Sequence, residues 1–310
     1  MDRYMKNIII SSNKYEKEHD YWLNILSGCE KSSIIPYDNI SDNKDSNMKE
    51  YEYVFDKAIY GKMKALCNNS QYAMFILLTT GTVYLTHMYT DQNEVMIGFP
   101  ILADSDKQSR TNALLALRYN MNDDKTFKQL LIECKENIKS AYENQIYPLY
   151  HVFQSLQLPM YKDEPSFGIV IEMEGLHYMD DTYTESSDVI FRFKMENDSL
   201  SARIIYKEEL YNIETIQNIA EDLNKYMQCV MEDYNILIGD IDILSDPTLL
   251  SWKEKMEAVR LNSIKDSDDE VEEDEDIYVA PRNAREEELV KVWEEILGIK
   301  DISVKTSFFK

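Results

Sequence analysis

The chain has 310 residues, with 33 Lys+Arg against 57 Asp+Glu and a formal net charge of -24. A hydrophobic fraction of 44% with 11% aromatics is that of a folded chain, and the length suits two domains or one large domain with an appendage. Such an acidic balance argues against nucleic acid or an anionic membrane as the main partner, and 8 Gly and 7 Pro exclude collagen-like and linker-like chains.

Asn13 to Ser27 places Tyr15, His19, Trp22, Leu23 and Leu26 at helical spacing, with Gly28 as a C-terminal stop. Ser32 to Asn47 has no periodicity and reads as loop. Glu50 to Phe55 alternates through Tyr51, Tyr53 and Phe55 and is expected to be a strand. Ala58–Cys67 and Gln71–Met88 follow as helices. The second is apolar nearly all round, so it is expected inside the body; Thr79, Thr80, Gly81, Thr82 and His87 make it too polar for a bilayer.

Glu94 to Ile101 reads as a buried strand running into Gly98-Phe99-Pro100, and Ala113–Tyr119 as another. Thr126–Asn144 is a strongly amphipathic helix, and a short helix is expected over His151–Leu156 after Pro148. Phe167 to Met173 is a strand. Val189–Met195 and Leu200–Tyr206 form a hairpin across Glu196 to Ser199. Ile213–Met231 is a second strong helix, and Ile236–Leu244 is expected to be a final strand. Strands and helices in this order give an α/β sandwich.

Nine of the eleven residues Asp266 to Asp276 are acidic. Such a block repels itself and buries nothing, so it is expected to be a solvated linker. Beyond it, Leu289, Val292, Trp293, Ile296 and Leu297 make one apolar helix face.

The chemistry-bearing residues are sparse. Cys29, Cys67, Cys134 and Cys229 are scattered and read as buried free thiols rather than disulfide or zinc ligands. His19, His87, His151 and His177 have no His, Cys or carboxylate partner at metal-ligand spacing. His19 and His87 read as packing or surface residues, and His177, in a loop, is the least unsuited to acid–base work. No GxGxxG, GxxxxGK[ST] or GxSxG occurs. From residue chemistry no catalytic, cofactor-binding or metal-binding residue is assigned. With no signal peptide and no spanning segment, a cytoplasmic location is expected.

The order of segments carries a resemblance. Asp20 to Gly28 (DYWLNILSG) resembles the "yWl..L.g" that opens the second half of a nonribosomal peptide synthetase condensation domain. Ile35-Pro36-Tyr37-Asp38 is similar to its "lP.D" loop, and Tyr89 to Pro100 to "ytgqddivvGtP". Leu115-Ala116-Leu117-Arg118 matches "LPLR", and Asn144-Gln145 to Pro148 resembles "hq..P". Ile205-Tyr206 to Leu210-Tyr211 resembles "i.Y...lF", and Ile241 to Ser245 the closing "i.lls". Tyr278 to Asn283, with Glu286 to Gly298 and then Ile302 to Phe309, resembles the linker and first helix of a peptidyl carrier domain.

The resemblance implies a chloramphenicol-acetyltransferase-like α/β sandwich lobe with a C-terminal helical appendage. Residues 1–248 would be the condensation-type C-terminal lobe, 249–280 an acidic linker, and 281–310 the truncated start of a carrier domain. It implies amide-bond formation between carrier-bound substrates, with an N-terminal lobe, other synthetase domains and peptidyl carriers as partners.

Departures are equally legible. There is no His-His pair for HHxxxDG, Asp104 stands where the family has Arg, and Ser109 to Ala113 has lost "GxFvN". The "lGG.S" whose Ser bears phosphopantetheine is absent, so that group is expected on a partner carrier. Both ends, one at a lobe boundary and one mid-carrier, read as accidental cuts. Four readings stay open: one lobe of a condensation unit; a non-catalytic docking lobe; a fragment without function of its own; and an acyltransferase with its own base at His177 or His151. The family's crossing segment is expected near Gly175–Val189.

Overall fold

A computed structural model describes residues 15–29, 31–39, 47–103, 111–179, 181–244 and 251–257. The chain divides into two units, Met1–Val259 and Arg260–Lys310. The expectations for the acidic run and the carrier-like tail lie outside the described residues, as do those for Asp104, Ser109 and Arg110.

The elements in chain order are α1 (Glu16–Leu26), β1 (Met48–Val54), α2 (Lys57–Leu66), α3 (Gln71–Thr90), β2 (Glu94–Pro100) and β3 (Leu114–Asn120). There follow α4 (Phe127–Glu143), α5 (Leu149–Ser155), β4 (Met160–Tyr161), β5 (Glu164–Pro165) and β6 (Ile169–Met173). The series ends with β7 (Val189–Met195), β8 (Leu200–Lys207) and α6 (Ile213–Glu232). Six strands form one sheet in the order β1-β8-β7-β6-β2-β3. The β1–β8, β8–β7 and β2–β3 pairs are antiparallel, whereas β6 runs parallel to both β7 and β2.

Local chemistry explains the element ends. Gly28 sits at φ +78° just after α1, a conformation that costs glycine nothing. Asp56 caps α2 by accepting from the N–H groups of Ala58 and Ile59, and Ser70 caps α3 by accepting from Ala73. Thr126 and Gln129 form a reciprocal capping box on α4. The hairpin turn closes through Glu196 N–H to the Ser199 carbonyl, 2.9 Å.

Helix α3 is buried nearly all round, as expected. Four of its threonines satisfy their hydroxyls one turn back: Thr80 donates to Ile76, Thr82 to Leu78, Thr86 to Thr82 and Thr90 to Thr86, whereas the buried Thr79 hydroxyl has no partner. Among the described residues no helix is long and apolar enough to cross a membrane. Strand alternation assigns the two sheet faces. Val95, Ile97 and Phe99 of β2 meet α3 and α4, as the Phe75–Phe99 and Phe99–Tyr142 ring contacts show. Arg118 of β3 points the other way, to the end of α1.

The expected strand over Ile236–Leu244 is absent; Ile238–Asp240 is a single 3-10 turn. Its backbone serves α4 instead of the sheet. The carbonyls of Tyr234 and Ile236 accept from Lys128 and Phe127, two donors at the start of α4 that have no partner within the helix. The N–H groups of Ile238 and Gly239 donate to Lys125 and Asp123. Ile238, Ile241 and Leu244 are buried, and that burial gives the segment its strand-like pattern. Two features have no counterpart in the sequence pattern: the β4–β5 hairpin, and the helical residues 251–257, which the expected boundaries give to the linker.

Candidate functional site

Strands β2, β6 and β7 run parallel, so their carboxyl ends open on one side of the sheet, the place where open α/β sheets hold ligands. Pro100, Met173 and Met195 are the last residues of these strands. The β2–β6 pairing is reduced to Gly98↔Val170. Beside that seam the loop 31–39 runs in: Ser33 N–H donates to Met96 O at 2.8 Å, and Ser32 Oγ accepts from Gly168 N–H at 3.2 Å.

His177 lies at this end and is 4% exposed. Its Nδ1 accepts from the Met173 N–H at 2.8 Å, which puts the ring proton on Nε2, 3.0 Å from the Tyr142 hydroxyl. The ring stands edge-on to Phe75, centroids 4.4 Å apart. Burial pushes its pKa down to about 3. Both ring nitrogens are committed, so the residue holds the ends of β6, β2 and α4 together and has no free lone pair for a substrate proton. His151 is half-buried and bonded through one nitrogen: its Nδ1 lies 2.9 Å from the Tyr147 hydroxyl, and burial, then the nearby His19, lower its pKa. The His87 Nδ1 donates to the Gln92 carbonyl at 2.8 Å. His19 packs on Tyr147, ring centroids 5.0 Å apart.

A buried ionic group at the same end escaped the sequence reading. Glu172, in the fourth position of β6, is fully buried. It accepts from the Nε of Arg192 on β7 and from the Tyr183 hydroxyl. A carboxylate here is tolerable only because a cation and a hydroxyl meet it. Its signal is one acidic residue in the otherwise apolar run FGIVIEM.

Tyr183 also lines a cavity of about 360 Å³ together with Asn112, Leu114, Tyr161, Pro165 and Glu185. Lys162 and Glu185 pair at its rim, 2.7 Å apart. Lys162 and Asp163 take φ +48° and +65°, so the β4–β5 turn holds two consecutive left-handed residues, the twist that suits a two-residue hairpin. Asn112 is buried and saturated: its Nδ2 donates to Gln145 O and Tyr147 O, and its Oδ1 accepts from Leu149 N–H. It thereby fixes the turn before α5.

The described part of the segment 175–188 folds onto its own body. His177 bridges to Leu102, Tyr183 is 3% exposed, and Ser187 Oγ donates to the Tyr183 carbonyl. Among the described residues no three His, Cys, Asp or Glu side chains are grouped to hold a metal ion. The described polar groups at this end of the sheet, His177, Glu172, Arg192, Tyr183 and Asn112, are thus bonded to one another, to Tyr142 or to backbone.

The comparisons agree with the order of segments. The family model described as "Condensation domain" matches residues 3–248. Gramicidin S synthase 2 of Brevibacillus brevis is 21% identical over 263 residues, which is 78% of this chain and 6% of that protein. Bacitracin synthase 1 of Bacillus licheniformis is 24% identical over 258 residues, 76% of this chain and 5% of that protein. The chain therefore spans less than a tenth of either relative. Among solved structures, a four-domain nonribosomal peptide synthetase bound to AMP and glycine superposes with a TM-score of 0.63 at 16% identity, over 76% of this chain and 20% of that one. The X-domain in complex with OxyB from teicoplanin biosynthesis gives 0.64 at 16%, over 78% and 59%. The family match over residues 3–248, about four fifths of the chain, makes it a member of the condensation-domain family of nonribosomal peptide synthetases.

Proposed function

We propose that the chain acts as the C-terminal lobe of a nonribosomal peptide synthetase condensation unit. It would form one wall of the site where an amide bond joins two carrier-bound substrates, working beside an N-terminal lobe that supplies HHxxxDG. The observation that carries this reading is the state of the histidines. The sequence has no His-His pair, and the one histidine at the carboxyl ends of β2 and β6 is buried, neutral and bonded through both ring nitrogens. A base must therefore come from elsewhere. The carrier domains would bring the phosphopantetheine-bound acyl donor and amine acceptor, and residues 281–310 would be the start of such a carrier.

A second reading is a docking lobe without chemistry. The X-domain that this chain superposes on is in complex with another protein, OxyB, which supports a binding role for the fold.

Reconstitution separates the two. The chain is mixed with acyl- and aminoacyl-loaded carrier domains, with and without a separately expressed N-terminal lobe carrying HHxxxDG, and amide product is followed by mass spectrometry. The lobe reading expects product only with the N-terminal lobe. Product from this chain without it, lost in H177Q, would overturn that reading. Carrier binding without product in either mixture would favour the docking lobe.

A further inference from the structure

Residues 251–257 lie beyond the family match, yet they are helical and pack onto the rest of the same unit. Trp252 is 4% exposed, and its ring stacks on Tyr89 with centroids 4.4 Å apart and planes 26° apart. Lys255 lies on the same helix face, three residues on. Its Nζ is 4.5 Å from the Trp252 ring centroid and 2.6 Å from Asp38 Oδ1. Lys253 Nζ is 3.1 Å from Asp91 Oδ2.

The receiving groove is built by three separate elements and is held in place by bonds of its own. The Tyr89 hydroxyl, on α3, donates to Asp222 Oδ2 on α6 at 3.1 Å. Asp38 accepts from the Asn212 N–H and the Thr215 hydroxyl, at 2.8 and 2.9 Å, and so supplies the anion that the start of α6 favours. Asp91 closes α3 in the left-handed conformation, φ +56°. An aromatic ring with two nearby carboxylates, Tyr89 with Asp38 and Asp91, is complementary to Trp252 with Lys255 and Lys253.

We propose that this groove is a docking site for the chain's own Trp252–Lys255 turn, and that the turn is a clip fixing the point where the chain leaves the condensation fold. The inference does not depend on which role the fold performs. The occupant is the chain itself: the segment follows α6 within the same unit, and its Trp, Lys and Lys each meet a matching group. The clip also loads the loop 31–39 and the start of α6 through one shared carboxylate, Asp38. Detachment would therefore be felt at both.

Hydrogen exchange on the full chain tests this. The amides of 251–257 should exchange about tenfold or more slower than unstructured amides, a local protection that W252A removes while β2 and β7 stay protected. If W252A unfolds the sheet as well, K253A/K255A carries the test, since it alters only half-exposed or exposed side chains; about threefold faster exchange at 251–257 is expected. Unprotected amides in the unaltered chain, or protection unchanged in the variants, would overturn the proposal. So would protection that disappears on dilution, because the groove would then hold the segment of a second copy.

Discussion

Arg118 on β3 binds Glu94 on β2 through Nη2, while its Nη1 donates to the carbonyls of Ile25 and Ser27, 2.8 Å each, at the end of α1. Helix α1 has no basic residue in its last turn, so the sheet supplies the cation that its carboxyl end favours. The arginine of the "LPLR"-like segment is therefore a fastener between sheet and helix. R118L should lower stability by about 1.5–3 kcal/mol, the range for hydrogen bonds to a charged group, with R118K recovering part of it. A shift in denaturant midpoint at constant m-value would show this; unaltered midpoints would mean that α1 docks through Trp22 and Leu26 and needs no such bond.

Glu172 makes a sharper prediction. E172A leaves the Arg192 guanidinium, 19% exposed, without its carboxylate partner beneath the 175–188 segment. The cost should be about 3–5 kcal/mol, because an uncompensated buried charge costs more than the pair contributes. The double variant E172M/R192M removes both charges and should recover most of the loss. Denaturant titration of wild type, E172M, R192M and the double variant gives the coupling energy, and additive single effects would exclude the pairing as the cause.

The elements whose burial repeats along the chain are legible from sequence. The hairpin β7–β8, the start of α4 at Thr126 and the apolar stripe of α6 lie where periodicity puts them. Partners far apart in the chain are not legible. Nothing local in Ile236–Leu244 says that its carbonyls serve the start of α4 rather than a neighbouring strand. The β4–β5 hairpin has two residues per strand and turns on Lys162-Asp163, which lack the usual Asn-Gly signature. Nothing local to Trp252 names its partner, so only the fold reveals that Tyr89 receives it. At the candidate site, the histidines' lack of partners at metal-ligand spacing is visible in the sequence, but the Glu172–Arg192–Tyr183 group needs β6 and β7 side by side.

Gly98, in the "GtP"-like segment, is required by Phe167. A Cβ there would stand 2.7 Å from Cδ2 and 2.8 Å from Cγ of that ring, which is fully buried and cannot swing away. G98A should therefore destabilise by about 1–3 kcal/mol through overpacking at the β2–β6 seam. G98A/F167L, which removes the ring, should be closer to wild type than G98A is. Thermal unfolding of the pair checks it; G98A at wild-type stability would mean that the seam widens without cost.

His177 sets an acid limit on stability. Its folded pKa, about 3, lies below that of an unfolded histidine near 6.5, so between those values the unfolded chain binds the extra proton. The stability held by the neutral ring is fully present above about pH 6.5 and is lost as pH falls toward 3, at up to about 1.4 kcal/mol per pH unit for one proton. His151, whose pKa is also lowered, adds to the slope in the same direction, as do carboxylates that pair only in the folded state. The comparison that isolates His177 is therefore a difference: denaturation midpoints of wild type and H177Q from pH 7.5 to 4.5. H177Q keeps an acceptor for the Met173 N–H and a donor for Tyr142 but cannot titrate. It should start lower at pH 7.5, from imperfect packing against Phe75, and approach or cross the wild type as pH falls. Parallel curves over the whole range would mean that His177 charges freely in the folded protein, and would reopen it as a general acid or base.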